Sequence, residues 1–330
     1  MHRVRSFAPL FFIAFWLLLP AQAQVYRLAD LNTEEIRVLN PMKTVVIIPG
    51  GILEEHGPYL PSYSDGFFAE AFSRELANAI VSRPGWTVLM FPEIPLGVGG
   101  ANSLGGKDVF PGSYTVRLST LRAVYMDLAS TLGEQGFRWI FVVFMHDGPE
   151  NHLALEQASD YFYDVYGGTM VHLYDLKPIH DCCDTAHRML TAEQLAENGF
   201  TVHGGIGEHS EMLFLRPDLV APAVHSAPST TAKDFPDMVR IARQDGWPGY
   251  WGAPRYASAA FGADSFHKIA EKMNGLALQI LDGLEWRKIP RFSDEQIAGI
   301  RAAGQQIAGA EYDRKREQRQ MEWLKSKNLR

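Results

Sequence analysis

The chain has 330 residues, of which 46% are hydrophobic and 21% charged, and its formal net charge is −7 at pH 7. This composition is typical of a globular protein with enough apolar material for a large core. The negative charge argues against a nucleic-acid partner, because phosphate binding requires basic patches.

The N-terminus has the three-part layout of a secretory signal peptide. His2, Arg3 and Arg5 precede an apolar run at residues 7–19, and the small-residue pattern AQA ends at Ala23. The apolar run is short for a bilayer span, which favours a cleaved signal over a membrane anchor. We therefore predict a signal peptide at residues 1–23 and a periplasmic or secreted protein with no membrane span after cleavage.

Apolar, β-rich runs alternate with helical patterns along the rest of the chain. The predicted strands lie at residues 44–49, 87–98 (running into a loop), 138–145 and 169–176. The predicted helices lie at residues 65–83, 115–136 and 152–167, with 275–284 in a late helix and 311–330 in a charged, solvated helix. This alternation predicts an α/β fold, a three-layer α/β/α domain with a mostly parallel sheet. We expect one domain over residues 24–290, followed by a charged helical tail over 291–330.

Charged residues cluster where the predicted strands end. Glu54 and His56 follow the first strand, and His146 and Asp147 follow the third. Ligands of parallel sheets collect outside the carboxyl ends of the strands. These residues are therefore candidates for a functional site and not only for a surface loop.

The stretch GGILEEHGPYLPSYSDGF (residues 50–67) carries the densest of these clusters. In an extended segment residues two apart point to the same side, so Glu54 and His56 can face one point while Glu55 faces away. Asp65 opens the next helix, where it is either an ordinary N-cap or a third member of the site. One Glu, one His and one Asp form a reasonable start on a site for Zn²⁺ or Mn²⁺.

Two further segments supply the same residue types. FMHDGPENH (residues 144–152) contains His146, Asp147, Glu150 and His152. VHGGIGEHSEML (residues 202–213) contains His203, Glu208, His209 and Glu211. Each residue alone is as well explained by a solvated loop, but three clusters of histidine and carboxylate together favour a metal.

The two cysteines of the chain, Cys182 and Cys183, are adjacent in KPIHDCCDTAH. Side chains of neighbouring residues usually diverge, which disfavours a disulfide between them. We expect a polar loop with two free thiols, and a metal or redox role is the alternative.

The motifs resemble those of the creatininase (creatinine amidohydrolase) family, α/β metal-dependent hydrolases of cyclic and acyclic amides. The family pattern P-x-G-[S/A]-x-E-Q-H-G-P-H-L-P-x-x-x-D is filled by Pro49, Gly51, Glu54, His56, Gly57, Pro58, Leu60, Pro61 and Asp65, with Glu55 in place of Gln and Tyr59 in place of the second His. The stretches FPGSYTVRLSTL (110–121), HGGIGEHSEMLFLRPDLV (203–220) and GYWGAPRYASAAFG (249–262) are similar to later family segments. The resemblance extends over residues 28–284.

The resemblance implies a dinuclear site holding two divalent ions, Zn and/or Mn. Glu54 would bind one ion, His56 the other, and Asp65 would bridge them. In an ungapped alignment the next histidine ligand falls on Gly148, and His146 stands two residues early. Either His146 still reaches the metal or one ligand is missing, and Glu150 and Glu208 are equal candidates for the last carboxylate.

The implied activity is hydrolysis of a C–N amide bond in a small molecule, such as a cyclic amide or a formamide. Two ions lower the pKa of a water molecule and so provide a hydroxide nucleophile. His203 is the candidate general acid-base, with Glu208 as a second catalytic candidate, although His203 is equally well explained as a hydrogen-bonding loop residue. The resemblance also implies a homo-oligomer.

The alternative to catalysis is a secreted family member that has lost a metal ligand in the loop at residues 146–151 and now only binds a small molecule. A serine hydrolase is disfavoured because the sequence has no G-x-S-x-G motif, and it has no Walker A motif for nucleotide binding.

Overall fold

The computed structural model describes residues 24–302 and 307–329, so the predicted signal peptide lies outside the described residues. The strands are β1 (Val25–Arg27), β2 (Thr44–Gly50), β3 (Thr87–Met90), β4 (Trp139–Phe144) and β5 (Thr169–His172). The helices are α1 (Thr33–Arg37), α2 (Ser64–Val81), α3 (Leu118–Glu134), α4 (Pro149–Tyr166), α5 (Lys177–His180), α6 (Thr185–Met189), α7 (Ala192–Asn198), α8 (Ile206–Leu215), α9 (Phe235–Ala242), α10 (Ala259–Leu281), α11 (Phe292–Ala302) and α12 (Ala310–Ser326).

The strands form one parallel sheet in the order β1-β3-β2-β4-β5. The predicted α/β fold with a mostly parallel sheet is confirmed. Among the strands of the described residues, β1 alone was not predicted, because it has three residues, VYR, of which the first and last are exposed. Such a short edge strand carries no apolar run that a sequence pattern could detect.

The central strand β2 shows why helices cover both faces of the sheet. Val45 and Ile47 pack with apolar residues of α2 and α10, whereas Val46 and Ile48 pack with α3 and α4. Successive side chains of a strand point to opposite faces, and all four are 0% exposed. Burial on both faces explains the unbroken apolar run in the sequence.

The register of the sheet positions the functional segments. Gly50, the last residue of β2, pairs with Phe144, the last residue of β4. Because the two strands are parallel, the chain leaves both of them at the same edge of the sheet. The segments that carry Glu54 and His146 therefore start as neighbours.

The C-terminal part of the described chain consists of α11 and α12, and α12 has no buried residue. Arg316 of α12 donates to the Thr115 carbonyl at 2.8 Å, and Glu317 pairs with Arg117 at 2.5 Å. The division of the chain at residue 290 stays a prediction. None of the described helices is long and apolar enough to cross a membrane.

The prediction of two free thiols is wrong, since Cys182 and Cys183 form a disulfide. Cys183 adopts a φ of 75°, in the left-handed region. This uncommon backbone turn brings together two side chains that would diverge in an ordinary conformation.

Candidate metal centre

The segment after β2 packs against the first turn of α2, and this contact places Glu54 and His56 beside Asp65. A Cβ atom on Gly51 would lie 2.5 Å from the Gly66 nitrogen, so only glycine permits this approach. His56 Nε2 lies 3.2 Å from Asp65 Oδ1 as a result. Glu54, His56 and Asp65, which the sequence analysis proposed as one site, therefore lie close together in the structure.

His146 reaches the same centre from the end of β4. Its Nδ1 lies 3.0 Å from Glu54 Oε2 and 3.3 Å from Asp65 Oδ2. The two oxygens of Asp65 therefore face different histidines, His56 and His146, as a carboxylate that bridges two ions would do. His146 stands two residues early in the family pattern, but pairing of β2 with β4 brings it within reach of the site.

His203 and Glu208 come from the loop before α8 and from its first turn. His203 Nδ1 lies 3.7 Å from Glu54 Oε1, and Glu208 Oε1 lies 3.7 Å from His56 Nε2. The second oxygen of Glu208 accepts a hydrogen bond from the Gly204 amide. This bond holds the carboxylate beside His56.

Backbone carbonyls fix the orientation of all three histidine rings. One ring nitrogen of His56, His146 and His203 donates to the carbonyl oxygens of Glu54, Val98 and Glu55, respectively. A neutral imidazole that donates from one nitrogen has a lone pair on the other. In each ring the second nitrogen faces the carboxylates, an arrangement found around metal-binding histidines.

The centre is buried and has unpaired acceptors. Glu54, His56 and Asp65 are 0%, 1% and 2% exposed. Among the described atoms, Glu54 Oε2, His56 Nε2 and Asp65 Oδ2 have no hydrogen-bond partner. Buried polar atoms are normally paired, and lone pairs that converge without a donor fit a cation.

The pKa values reflect the same convergence of charge. Burial raises the pKa of Glu54, but His203 and His146 outweigh it and leave this pKa at about 2. Burial lowers the pKa of His56, yet the nearby carboxylates of Asp65 and Glu208 raise it well above the ordinary value. The pKa of His146 is also raised well above its ordinary value, because Glu54 and Asp65 outweigh burial. The site thus attracts positive charge strongly.

Glu55 points away from this centre but is not a surface residue. It is 4% exposed, and one carboxylate oxygen accepts a hydrogen bond from Ser113 Oγ. Burial, followed by the charge of Glu54, raises its pKa to about 7. The alternation of an extended segment predicted that the Glu55 side chain points away from Glu54 and His56. It does not predict that Glu55 is buried, because burial depends on other segments of the chain.

Glu150 lies outside the centre, in the first turn of α4. Some sets of three histidine or acidic residues have ligand atoms that all lie within 4.8 Å of one another. Among the described residues, Glu208 belongs to one such group and Glu150 belongs to none. Burial raises the Glu150 pKa to about 7. Glu208 is the nearer of the two to His56, and which of Glu150 and Glu208 completes the site stays a prediction.

The described residues form four such groups, and three of them overlap at this centre: Glu54–His56–His203, Glu54–Asp65–His146 and His56–Asp65–Glu208. The fourth consists of His152, His172 and Asp175. His172 and Asp175 were not among the predicted site residues, because both fall inside the strand predicted at 169–176. The strand ends at His172, so the rule that polar residues collect at strand ends could have found them.

Comparison with known proteins places the chain in a family. The family model described as "Creatininase: Creatinine amidohydrolase" matches residues 29–276. A curated creatinine amidohydrolase of Pseudomonas putida is 28% identical over 183 residues, which cover 53% of this chain and 66% of that enzyme. The match therefore spans slightly less than two thirds of the relative.

Solved structures show the same fold. A structure described as "Creatininase Mn" is 22% identical with a TM-score of 0.60, covering 77% of this chain and 98% of its own. A Glu-to-Gln mutant creatininase of the Zn-Zn type is 20% identical with the same TM-score and coverage. A structure described as a putative creatinine amidohydrolase from Bacteroides fragilis is 20% identical with a TM-score of 0.55, covering 79% and 96%. The family model spans most of the chain and the fold agrees with these structures, so this protein belongs to the creatininase family.

Proposed function

We propose that this protein hydrolyses a C–N amide bond of a small molecule at a site holding two divalent metal ions. The observation that carries the proposal is the orientation of His56, His146 and His203. Each ring is anchored to a backbone carbonyl through one nitrogen and turns the other toward buried carboxylates. Without a cation or added protons, the lone pairs of these nitrogens would face the lone pairs of the carboxylate oxygens, which is unfavourable.

The residues fit two ions that share Asp65. Glu54, Asp65 and His146 would hold one ion, and His56, Asp65 and Glu208 the other. Nitrogen and carboxylate ligands suit zinc and manganese. Creatininases described as Mn and Zn-Zn forms support the same choice.

The ions, when bound, would supply an activated water molecule and an electrophilic centre for the amide carbonyl. His203 would carry the proton that the departing nitrogen requires. Its Nε2 is occupied by the Glu55 carbonyl, so Nδ1 is the atom that would take up and release this proton. Glu54 lies 3.7 Å from Nδ1 and would stabilise the protonated ring.

The substrate class follows from the family and stays part of the proposal. The curated relative is a creatinine amidohydrolase, which supports a small amide, and the family resemblance names cyclic amides and formamides as candidates. Identity of 28% does not select among these, because one fold supports many substrates.

The alternative, a family member that only binds its ligand, rested on a missing metal ligand at residues 146–151. His146 Nδ1 lies 3.0 Å from Glu54 Oε2, so the geometry no longer motivates that alternative. Activity toward an amide is the outcome that separates the two accounts.

We also propose export, with cleavage after Ala23, on the basis of the N-terminal sequence. The mass of the chain recovered from the periplasm or medium tests this directly. Assembly into a homo-oligomer is proposed from the family resemblance and is tested by light scattering.

Elemental mass spectrometry of protein purified without chelators tests the proposed site. We expect at least two ions of zinc or manganese per chain, and hydrolysis in a screen of cyclic amides and formamides. His56→Ala should lose at least one ion and reduce kcat/KM about a hundredfold or more. The control is Glu55→Gln, which keeps an acceptor for Ser113 and should retain metal and activity. Equal damage in both variants would contradict the assignment.

A further inference from the structure

A second group of histidine and carboxylate residues lies on the opposite side of the loop that follows β4. His146 points from this loop into the first centre, whereas the next residue, Asp147, lies 3.4 Å from His152 Nε2. The second histidine group consists of His152, His172 and Asp175, which are 0%, 4% and 2% exposed. It shares no residue with the proposed dinuclear site.

The ligand atoms of this group have the spacing of a metal site. The Nδ1 atoms of His152 and His172 are 3.3 Å apart, and His152 Nδ1 lies 3.5 Å from Asp175 Oδ1. Tetrahedral zinc with ligands at about 2.0–2.1 Å separates adjacent ligand atoms by about 3.4 Å. Two of the three separations are therefore already close to those around a zinc ion.

Hydrogen bonds to neighbouring residues orient the side chains of His172 and Asp175. His172 Nε2 donates to the Phe144 carbonyl at 3.0 Å, which leaves a lone pair on its Nδ1 in the neutral ring. Asp175 accepts from the backbone amide of Ser293 at 2.9 Å and from its hydroxyl at 2.8 Å. Metal ligands are commonly held by such carbonyl and hydrogen-bond partners.

The charges of the group favour a cation. The His172 ring, whose Nε2 donates to the Phe144 carbonyl, turns its Nδ1 toward His152 Nδ1. The two facing Nδ1 atoms then share at most one proton, and Asp175 adds a carboxylate beside them. A divalent ion would replace that proton, and Asp175 and Asp147 would balance its charge.

Space for a fourth ligand adjoins the group. A cavity of about 10 Å³ is lined by His172 and Asp175, by the ion pair of Glu156 and Arg291, and by Ser159, Val171, Leu176 and Trp286. This volume is close to what one water molecule needs. A tetrahedral ion bound by three protein atoms would be completed by such a water.

We propose that His152 Nδ1, His172 Nδ1 and Asp175 Oδ1 form a second, buried metal site for zinc or a similar transition-metal ion. Two imidazoles and one carboxylate favour such ions over Mg²⁺ or Ca²⁺. The site would join α4, the end of β5 and, through Ser293, the start of α11. It goes beyond the proposed hydrolysis and depends on different residues.

Anomalous diffraction from crystals of the wild-type chain loaded with zinc tests the proposal without a variant. We expect a peak among the three ligand atoms, separate from the peaks at Asp65. Peaks at the first centre only would overturn the proposal and assign the group to a hydrogen-bonded histidine pair. Because the two centres share no ligand, failure of one is distinguishable from failure of the other.

Metal content of variants provides a second measurement. Asp175→Asn keeps an acceptor for the Ser293 amide and should lose one zinc per chain, as should His172→Gln. Ser293→Ala retains the amide bond to Asp175 and should weaken zinc binding about tenfold. The matched control is His225→Gln, an exposed histidine that should leave zinc content unchanged. Full zinc content in Asp175→Asn and His172→Gln would overturn the proposal.

Discussion

His203 shows how one residue can be assigned either of two roles from its position. Its Nδ1 lies 3.7 Å from Glu54 Oε1, and the residue also belongs to a possible ligand group with Glu54 and His56. This position is compatible with either a proton carrier or a metal ligand. The two roles differ in what their loss does to the metal.

We expect His203→Asn to reduce kcat about a hundredfold or more while metal content stays unchanged, because proton transfer is lost and the ions keep their other ligands. Steady-state kinetics and elemental analysis of the same preparation check this. A fall in metal content that parallels the fall in activity would instead make His203 a ligand.

Glu211 provides a test of pH dependence at the residue scale. It is buried at the contact of α8 and α10, where Ser265 Oγ donates to its carboxylate at 2.7 Å. Burial raises its pKa from 4.5 to about 7. Between these values the folded state binds a proton that the unfolded state releases, so stability falls as pH rises through this window.

Glu211→Gln removes this titration and keeps an acceptor for Ser265. At pH 8 the variant should be more stable than wild type by about 3 kcal/mol, and near pH 4 the two should be equal. Urea denaturation at both pH values measures the difference. A difference independent of pH would contradict the shifted pKa.

At the scale of elements, the contact between α8 and α10 holds Glu208 in place. Gly262 lies in the first turns of α10, and a Cβ atom there would be 1.9 Å from the Ser210 carbonyl oxygen. The Ser210 hydroxyl also accepts from the Ser258 amide at 3.0 Å. The helices approach so closely because this position has no side chain.

Gly262→Ala should force α8 and α10 apart, lower the free energy of unfolding by about 1–3 kcal/mol, and reduce metal content through displacement of Glu208. The control lies on the same helix. A Cβ atom on Gly275 would meet none of the described neighbouring atoms within 4 Å, so Gly275→Ala should stabilise by about 0.5–1 kcal/mol. Thermal denaturation and elemental analysis of both variants check this, and similar effects of the two would contradict it.

At the scale of the whole molecule, metal binding and folding should be coupled. The ligands of the proposed dinuclear site come from the segment after β2, from α2, from the end of β4 and from α8. The unfolded chain has no such arrangement, so ions that bind the folded state stabilise it.

Removal of metal by a chelator should therefore lower Tm, and zinc or manganese at about 1,000 times Kd should restore about 4 kcal/mol. The effect should weaken as pH falls, because the raised pKa values of His56 and His146 let protons compete with the ions. Calorimetry with and without metal at pH 6 and pH 8 measures this. A Tm that does not respond to metal at either pH would contradict the coupling.

Much of the molecule follows from local sequence. The apolar runs that became β2 and β4 are continuous because both faces of these strands are covered, and Glu54 and His56 share a side because they are two residues apart. The motif from Pro49 to Asp65 and three later segments indicated the family, which the family model over residues 29–276 confirms. These features depend on neighbours within a few residues, which a sequence displays directly.

The remaining features depend on contacts between distant segments. The pairing of Gly50 with Phe144 decides that His146 reaches Glu54, and the position of α8 decides that Glu208 meets His56. The burial of Glu55 depends on Ser113, and the left-handed turn at Cys183 permits the disulfide. Local periodicity contains no information on these distances, because strand register and helix packing set them through the core as a whole.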